Sequence, residues 1–236
     1  CAGGSDGTFE IAQECASNQV IVLEQQSGEG KQRALARSLP QATGEVVFLT
    51  DADCELSDEA FERTLLPIAS KREIACSGGS QPETAQMHHA FVVAQAASQM
   101  YASLHTPAYA PGLLGRNFAV QRQTLEQSRG LVEPAPTGTD YVLAKMLSKT
   151  GVRIKQEPQS RMVTEYPTDV SGYLRQQRRW LRNVFLYGRK YGAADEVRAS
   201  IYTSVIGAVM LAAPISFSIA GNSAFIPWFI LLAHGL

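Results

Sequence analysis

Nothing in this sequence points to a metal-thiolate site, a redox pair or a surface for polyanions. Its four cysteines, Cys1, Cys15, Cys54 and Cys76, are scattered, form no Cys-x-x-Cys pair and have no histidine at ligand spacing. That excludes the usual zinc and dithiol motifs and fits a reducing compartment. Neither sign of charge is in excess: 21 lysines and arginines against 22 aspartates and glutamates leave a net charge of -1. A nucleic-acid binder would carry a basic surplus, so no nucleic-acid partner is expected. There is no initiating methionine and no signal peptide. Cys1-Ala2-Gly3-Gly4 reads as the end of a strand or the loop after it, so the 236 residues are expected to be cut from a longer chain.

One further absence is local. Between Ala199 and Leu236 there is no Asp, Glu, Lys or Arg. The run Ile201 to Ala220 is long enough for a membrane helix, for which about 20 apolar residues suffice, and Gly207 and Pro214 are tolerated there. A second apolar run, Ala224 to Leu236, stops short of a full crossing, and Trp228 suits an interface. The alternative is a buried hairpin of core helices. Arg175, Arg178, Arg179, Arg182, Arg189, Lys190 and Arg198 precede the first run. Basic residues gather on the cytoplasmic side, which predicts an integral membrane protein with its catalytic domain in the cytoplasm and the lipid bilayer as a partner. Three regions are expected: 1–169, a catalytic domain; 170–198, an amphipathic interfacial helix and basic linker; and 199–236, a membrane region.

What is present is organised around Val46-Val47-Phe48-Leu49-Thr50-Asp51-Ala52-Asp53. An unbroken apolar run suits the centre of a parallel sheet covered on both faces, and in open α/β sheets the chemistry lies beyond the carboxyl ends of the strands. Asp51 and Asp53 fall there. Two acids at i and i+2 can converge on Mg²⁺ or Mn²⁺, hard cations that often keep a substrate diphosphate in their shell. Taken alone, the pair also reads as a polar turn. Upstream, Val20 to Leu23 reads as a strand and Gly28-Glu29-Gly30-Lys31 as a turn into a helix. A lysine there can reach a phosphate, although the P-loop spacing is absent. Ser57, with Asp58 and Glu59 behind it, caps the next helix, and Ile74 to Cys76 is a further strand. Strand, helix, strand, helix, strand predicts an α/β domain with a parallel sheet.

Thr84 to His105 reads as one long helix, with His88 and His89 facing different ways. Phe118 to Val120 is a short strand behind the loop Gly115-Arg116-Asn117. Thr139 is a plausible N-cap for the next helix, and Asp140 in its first turn suits the helix dipole or, alternatively, serves as a general base. Val152 to Ile154 and a segment near Thr164 read as two strands. Val170 to Tyr187 is amphipathic, and its Gln176-Gln177-Arg178-Arg179-Trp180 segment suits either a membrane surface or the holding of a diphosphate and a sugar.

Taken in order, these motifs resemble the family 2 glycosyltransferases, and within them the membrane-integrated branch of cellulose, chitin and hyaluronan synthases. Ser5-Asp6-Gly7-Thr8 looks like the end of the nucleotide-binding turn. Gly30-Lys31 and Gly44-Glu45 look like the approach to the Asp-x-Asp motif, which Asp51-Ala52-Asp53 matches. Asp140 stands where the family has its catalytic aspartate, with Thr139 replacing the usual Glu. Gln176, Arg179 and Trp180 fit Gln-x-x-Arg-Trp. The resemblance implies a GT-A-like, Rossmann-type α/β domain, N-terminally truncated, followed by transmembrane helices. It implies inverting transfer from a UDP- or GDP-sugar to a polysaccharide or lipid acceptor, for cell-envelope or extracellular polysaccharide. Asp51 and Asp53 would hold a divalent metal (Mg or Mn). Asp6, Lys31, Asp51, Gln176 and Arg179 would bind the donor and its diphosphate, and Asp140 would be the base. Trp180, Gly115 and Asn117 would meet the acceptor. The alternatives are a membrane-anchored nucleotide-sugar sensor or scaffold without turnover, and a phosphotransferase of the haloacid dehalogenase type with Asp51 as nucleophile.

Overall fold

The computed structural model describes residues 6–219, with the backbone alone at 210, 211 and 213–218. Helix α1 (Thr8–Glu14) follows Gly7 in the left-handed region (φ 83). Then come α2 (Gly30–Ser38), β1 (Val46–Leu49), β2 (Cys54–Glu55) and α3 (Asp58–Ala69). Ser57 caps α3 as its sequence predicts: its hydroxyl accepts the Ala60 N–H at 3.2 Å, satisfying one donor that a helix start leaves open. Next are β3 (Ala75–Pro82), a 3-10 turn (Thr84–His88), α4 (Ala90–His105), β4 (Tyr109–Ala110), β5 (Phe118–Gln121) and α5 (Arg122–Ser128). The chain continues through α6 (Thr139–Lys149), β6 (Ile154–Thr164), α7 (Val170–Lys190) and α8 (Ala194–Ile219). It forms two compact units, Cys1–Arg178 and Arg179–Leu236.

The sheet runs β1-β5-β3-β6-β2, with β4 also on β6. Among the described residues only β3 and β6 pair in parallel; β5 lies antiparallel between β1 and β3, and β2 and β4 pair antiparallel with β6. This corrects the parallel sheet expected from the order of the first elements. Strand β5 arrives from an irregular loop rather than a helical crossover, and it separates two strands that run the same way. It also moves β1 from the centre of the sheet to its edge. The apolar run of β1 has another cause: Val47 and Leu49 pack on a cluster built by Phe118, Val120, Leu143, Leu147 and Ile154, while Val46 and Phe48 pack on Ile68, Cys76 and Ala119. Both faces are covered, by α2, α5 and α6 on one side and α3 on the other, so neither alternate set of side chains in β1 is polar.

Three other expectations change. Among the described residues Val20 to Leu23 forms no strand; Val20 closes a turn on Ser17, and Val20 and Ile21 stand exposed. The expected helix Thr84 to His105 breaks at His89, which is extended (φ -84, ψ 114). The cause is tertiary. The Gln86 side chain donates to the Tyr166 carbonyl at 3.0 Å and accepts the Tyr166 N–H at 2.8 Å, fixing the 3-10 turn apart from α4. With the helix broken, the rings of His88 and His89 lie 4.0 Å apart instead of pointing away from each other. Lastly, β6 is one strand where the sequence suggests two. Its register on β3 jumps from Gly78↔Glu157 to Gly79↔Arg161, so Pro158, Gln159 and Ser160 form a bulge that accommodates a proline without an N–H.

Among the described residues no helix is long and apolar enough to cross a membrane. Helix α8 carries the run that begins at Ile201. The side chains of much of that run, and the whole run from Ala224 to Leu236, lie outside the described residues.

Candidate active site

From Leu49 the chain leaves β1 at one edge of the sheet and crosses to β2, which pairs Cys54 with Thr164 and Glu55 with Val163 at the end of β6. Asp51 and Asp53 lie in this crossing. The Thr164 hydroxyl donates to the Asp53 carbonyl oxygen at 3.2 Å, and Arg116 Nη1 donates to the Thr164 hydroxyl at 3.1 Å. The same guanidinium reaches Asp51, with Nε 4.0 Å from Oδ2. On the other oxygen, Oδ1, Asp51 is ion-paired with Lys31. Asp53 stays exposed, and its carboxylate accepts the Cys54 thiol at 3.3 Å.

Lys31 reaches Asp51 because α2 begins abruptly. Gly28 and Gly30 adopt positive φ (73 and 71), which L side chains rarely do, and the turn is stapled from behind. Glu29 accepts the Gln26 N–H at 2.9 Å and the Arg37 Nε at 2.8 Å, and Arg37 also donates to the Glu24 carbonyl. Arg37 and the Gln26 N–H hold the Glu29 carboxyl down at about 2.

Asp140 stands in the first turn of α6. Gly138, at φ 71, is the N-cap, and Thr139, expected in that role, is already inside the helix and buried. The Asp140 carboxylate folds back over the loop before β5: the Gly115 N–H donates to Oδ2 at 3.2 Å, and a Cβ at Gly115 would collide with the carboxylate. Gly115 thus supports the Asp140 carboxylate from behind.

Asn117, expected to meet the acceptor, is fully buried; it accepts the Thr64 hydroxyl at 3.0 Å, and donates to the Gly79 carbonyl at 3.1 Å and the Ser160 hydroxyl at 3.0 Å. Its own carbonyl accepts the Gly78 N–H at 2.9 Å. Its side-chain amide is engaged inside the fold on both its oxygen and its nitrogen, and it anchors the loop that carries Gly115 and Arg116. Arg116 is the residue that sequence reasoning underweighted. Its only sequence signal is a basic residue in the short loop that enters a strand at the active end of the sheet.

The structure therefore brings together Lys31, Asp51 and Arg116, ties the Asp53 main chain to Arg116 through Thr164, and joins Asp140 to them through the Gly115-Arg116 peptide. Asp6 is engaged locally: its Oδ1 accepts the Thr8 N–H at 3.1 Å and the Thr8 hydroxyl at 2.7 Å, which holds its carboxyl below the usual range. Gln176, Arg179 and Trp180 fall at i, i+3 and i+4 on α7 and so share one stripe, with Arg179 and Trp180 in the second unit.

The donor set suits a hard divalent cation in part. Two carboxylates are available, and no group of three or more His, Cys, Asp and Glu side chains forms among the described residues. The remaining ligands would have to be water or substrate oxygens, as is common for Mg²⁺. The two cations now on Asp51 mark it as a seat for positive charge.

A family model described as "Glycosyltransferase like family 2" matches residues 1–183. No curated protein matches the chain. Among solved structures, a mannosyltransferase from Pyrobaculum calidifontis, in complex with GDP-Man and Mn²⁺, matches 98% of this chain and 67% of its own at 21% identity and a TM-score of 0.63. GalNAc-T7 with UDP, GalNAc and Mn²⁺ matches 73% of this chain and 39% of its own at 16% identity, with a TM-score of 0.47. The likeness to the mannosyltransferase shows the fold, a GT-A-like mixed α/β sheet.

Proposed function

This chain belongs to the glycosyltransferase family 2-like proteins, and from that premise we propose that it transfers a sugar from a nucleotide-diphosphate donor to an acceptor hydroxyl, with inversion at the anomeric carbon. One observation carries the reading. Adjacent residues of a single loop, Gly115 and Arg116, contact the two carboxylates that such a reaction needs on opposite sides of the sugar: Asp140 through the Gly115 N–H and Asp51 through the arginine. A base and a leaving-group site held by one rigid peptide keep a constant separation, which is how positioning lowers a barrier.

In this reading Asp51 and Asp53 hold a divalent cation, Mg²⁺ or Mn²⁺, which would neutralise charge on the leaving diphosphate. Lys31 and Arg116 add positive charge on the same side. Asp140 accepts the proton of the attacking hydroxyl, a role worth typically about 10²–10⁴-fold in rate. The family resemblance assigns Gln176 and Arg179 to the diphosphate and Trp180 to the acceptor sugar. The mannosyltransferase solved with GDP-Man and Mn²⁺ supports a nucleotide sugar and a divalent cation here. The basic, amphipathic α7 and the uncharged stretch from Ala199 support membrane association with the catalytic domain in the cytoplasm, and so a polysaccharide or lipid acceptor.

The test is release of nucleotide diphosphate by the full-length protein in membranes, given Mn²⁺ or Mg²⁺ and a panel of UDP- and GDP-sugars. Release with one donor, and a sugar-bearing product, is the expected result. A folded protein that releases nothing from any donor would instead be a sensor or scaffold.

A further inference from the structure

Lys31 and Gln32 are neighbours in the first turn of α2, and neighbouring residues of a helix point in different directions. Lys31 goes to Asp51. Gln32 goes inward and is 5% exposed. Its Nε2 donates to the Gly130 carbonyl at 3.1 Å and to the Glu133 carbonyl. Those two carbonyls belong to a tight turn behind α5. Arg129 reverses the chain at φ 55, and its carbonyl accepts the N–H groups of Val132 and Glu133, each at 3.0 Å. From Glu133 the chain runs through Pro134 and Pro136 to Gly138 and Asp140.

The turn is pressed against α6. A Cβ at Gly130 would collide with the buried Leu143 side chain and stand 3.3 Å from the Leu143 Cα. Leu143 follows Asp140 by three residues, so the two are neighbours on the helix surface. Contact therefore runs from Gln32 through Gly130 to the turn of α6 that presents the Asp140 carboxylate. This path is separate from the Gly115–Arg116 peptide, which holds the same carboxylate from the other side.

The orientation of the Gln32 amide is fixed by its partners. Two carbonyl oxygens face Nε2, so a flipped amide would aim oxygen at oxygen. In the orientation it has, the buried Oε1 accepts from no donor among the described residues. A stranded buried oxygen is a cost that native folds rarely carry. The side chain is therefore held for its two N–H bonds, and exceptions of this kind gather at functional sites.

We propose that Gln32 is a positioning residue for the transfer step. It ties the Arg129–Glu133 turn to the helix that carries Lys31, and so fixes the distance from Asp140 to the diphosphate side of the site. The proposal rests on the transferase reading above, with Asp140 as base.

The test uses full-length protein in membranes, with kcat, donor KM and Mn²⁺-dependent binding of UDP and GDP measured side by side. Gln32→Met fills the same space without donors. A shift of about 1 Å in a catalytic group can cost about 10²-fold, so kcat should fall about ten- to a hundredfold while nucleotide binding changes less than about twofold. Gln32→Glu adds a signature that a merely structural role would not give. Its carboxyl, buried against two carbonyl oxygens, is raised above the ordinary range. Neutral, it donates to one of them; ionised, it donates to neither. The ratio of its kcat to that of wild type at the same pH should therefore rise as pH falls from about 9 to about 6. Should Gln32→Met fail to fold, Gln32→Glu, purified at low pH where one bond is kept, carries the test. A folded Gln32→Met with wild-type kcat would overturn the proposal, and so would a Gln32→Glu ratio that is flat with pH. Parallel losses of kcat and nucleotide binding would overturn it too, by placing the defect in α2 itself. Wild type that releases no nucleotide diphosphate from any donor would remove the transferase reading and the positioning role together, a result that needs no substitution and so is distinct from the others.

Discussion

The Gly115 N–H donates to Asp140 Oδ2 at 3.2 Å, with no room between the two for a methyl group. Glycine is required here for space, since Gly115 is not among the positive-φ residues. A Gly115→Ala substitution places its Cβ against the end of the Asp140 side chain, so the carboxylate gives way while the backbone holds. A displacement of about 1 Å in a catalytic group can cost about 10²-fold. The expected outcome is a fall in kcat of that order with donor affinity unchanged, read from steady-state kinetics beside nucleotide titration. An unchanged kcat would remove Gly115 from the positioning of the base.

Asp140→Asn keeps the shape and the hydrogen bond from Gly115 but cannot take a proton. Transfer should fall about 10²–10⁴-fold with donor binding nearly intact. Asp53→Ala should do the reverse, weakening metal-dependent donor binding first. Wild-type turnover in the first variant would sink the base assignment, and unchanged metal-dependent binding in the second would strike Asp53 from the ligands.

The parts of this fold that were legible from sequence are local ones. Ser57 announces its helix because a cap needs only the next three residues, and the apolar run of β1 announces a strand covered on both faces. Asp51 and Asp53 are legible because the end of that strand is. What was hidden depends on distant partners. Nothing near Val20 says that it closes a turn, and nothing near β1 says that β5 will insert beside it. The break at His89 is imposed by Tyr166, some 80 residues away from Gln86. Arg116 and Asn117 are adjacent, polar and alike on paper. Only the arrival of Thr64 and Ser160 turns one of them inward.

Lys31 and Arg116 both bring positive charge to Asp51, and that charge opposes a metal ion while favouring a diphosphate. Lys31→Met should therefore bind Mn²⁺ several-fold more tightly in the absence of nucleotide, because a charge a few ångströms away in a partly screened site is worth about 1 kcal/mol or more. The same variant should bind GDP or UDP more weakly when Mn²⁺ is saturating. Mn²⁺ titration by electron paramagnetic resonance, with and without nucleotide, separates the two effects. Weaker Mn²⁺ binding in the variant would mean that Lys31 supports the metal site instead of competing with it.

The Glu29–Arg37 staple gives a pH dependence with a definite sign. The folded carboxyl sits at about 2, below its ordinary 4.5, so the unfolded chain binds the proton more readily. The staple's contribution is fully present above pH 4.5 and is lost as pH falls from there toward 2. Glu29→Gln should therefore lower the melting temperature by a constant amount at neutral pH, and the gap to wild type should close across that acid window. A gap that persists below pH 2 would show that the effect is not carried by the charge. Because the staple holds the turn ahead of Lys31, Arg37→Ala should also weaken donor binding.

Asn117 gives the sharpest contrast with its motif neighbours. If it touched the acceptor, Asn117→Ala would raise the acceptor KM and leave stability alone. Its burial predicts the opposite. Removing the side chain strands the Thr64 and Ser160 hydroxyls and the Gly79 carbonyl in the interior, and each buried polar group left unsatisfied costs about 1–3 kcal/mol. Part of that is recovered, because Thr64 and Ser160 still bond to each other at 2.7 Å and Ser160 to the Ala60 carbonyl at 2.7 Å. The net loss should be about 2–3 kcal/mol in denaturant unfolding, with acceptor KM unchanged in whatever fraction stays folded. The loop it anchors carries Gly115 and Arg116, so kcat should fall as well. A stable Asn117→Ala protein with a raised acceptor KM would return the residue to the acceptor site and would mean that the loop opens in solution.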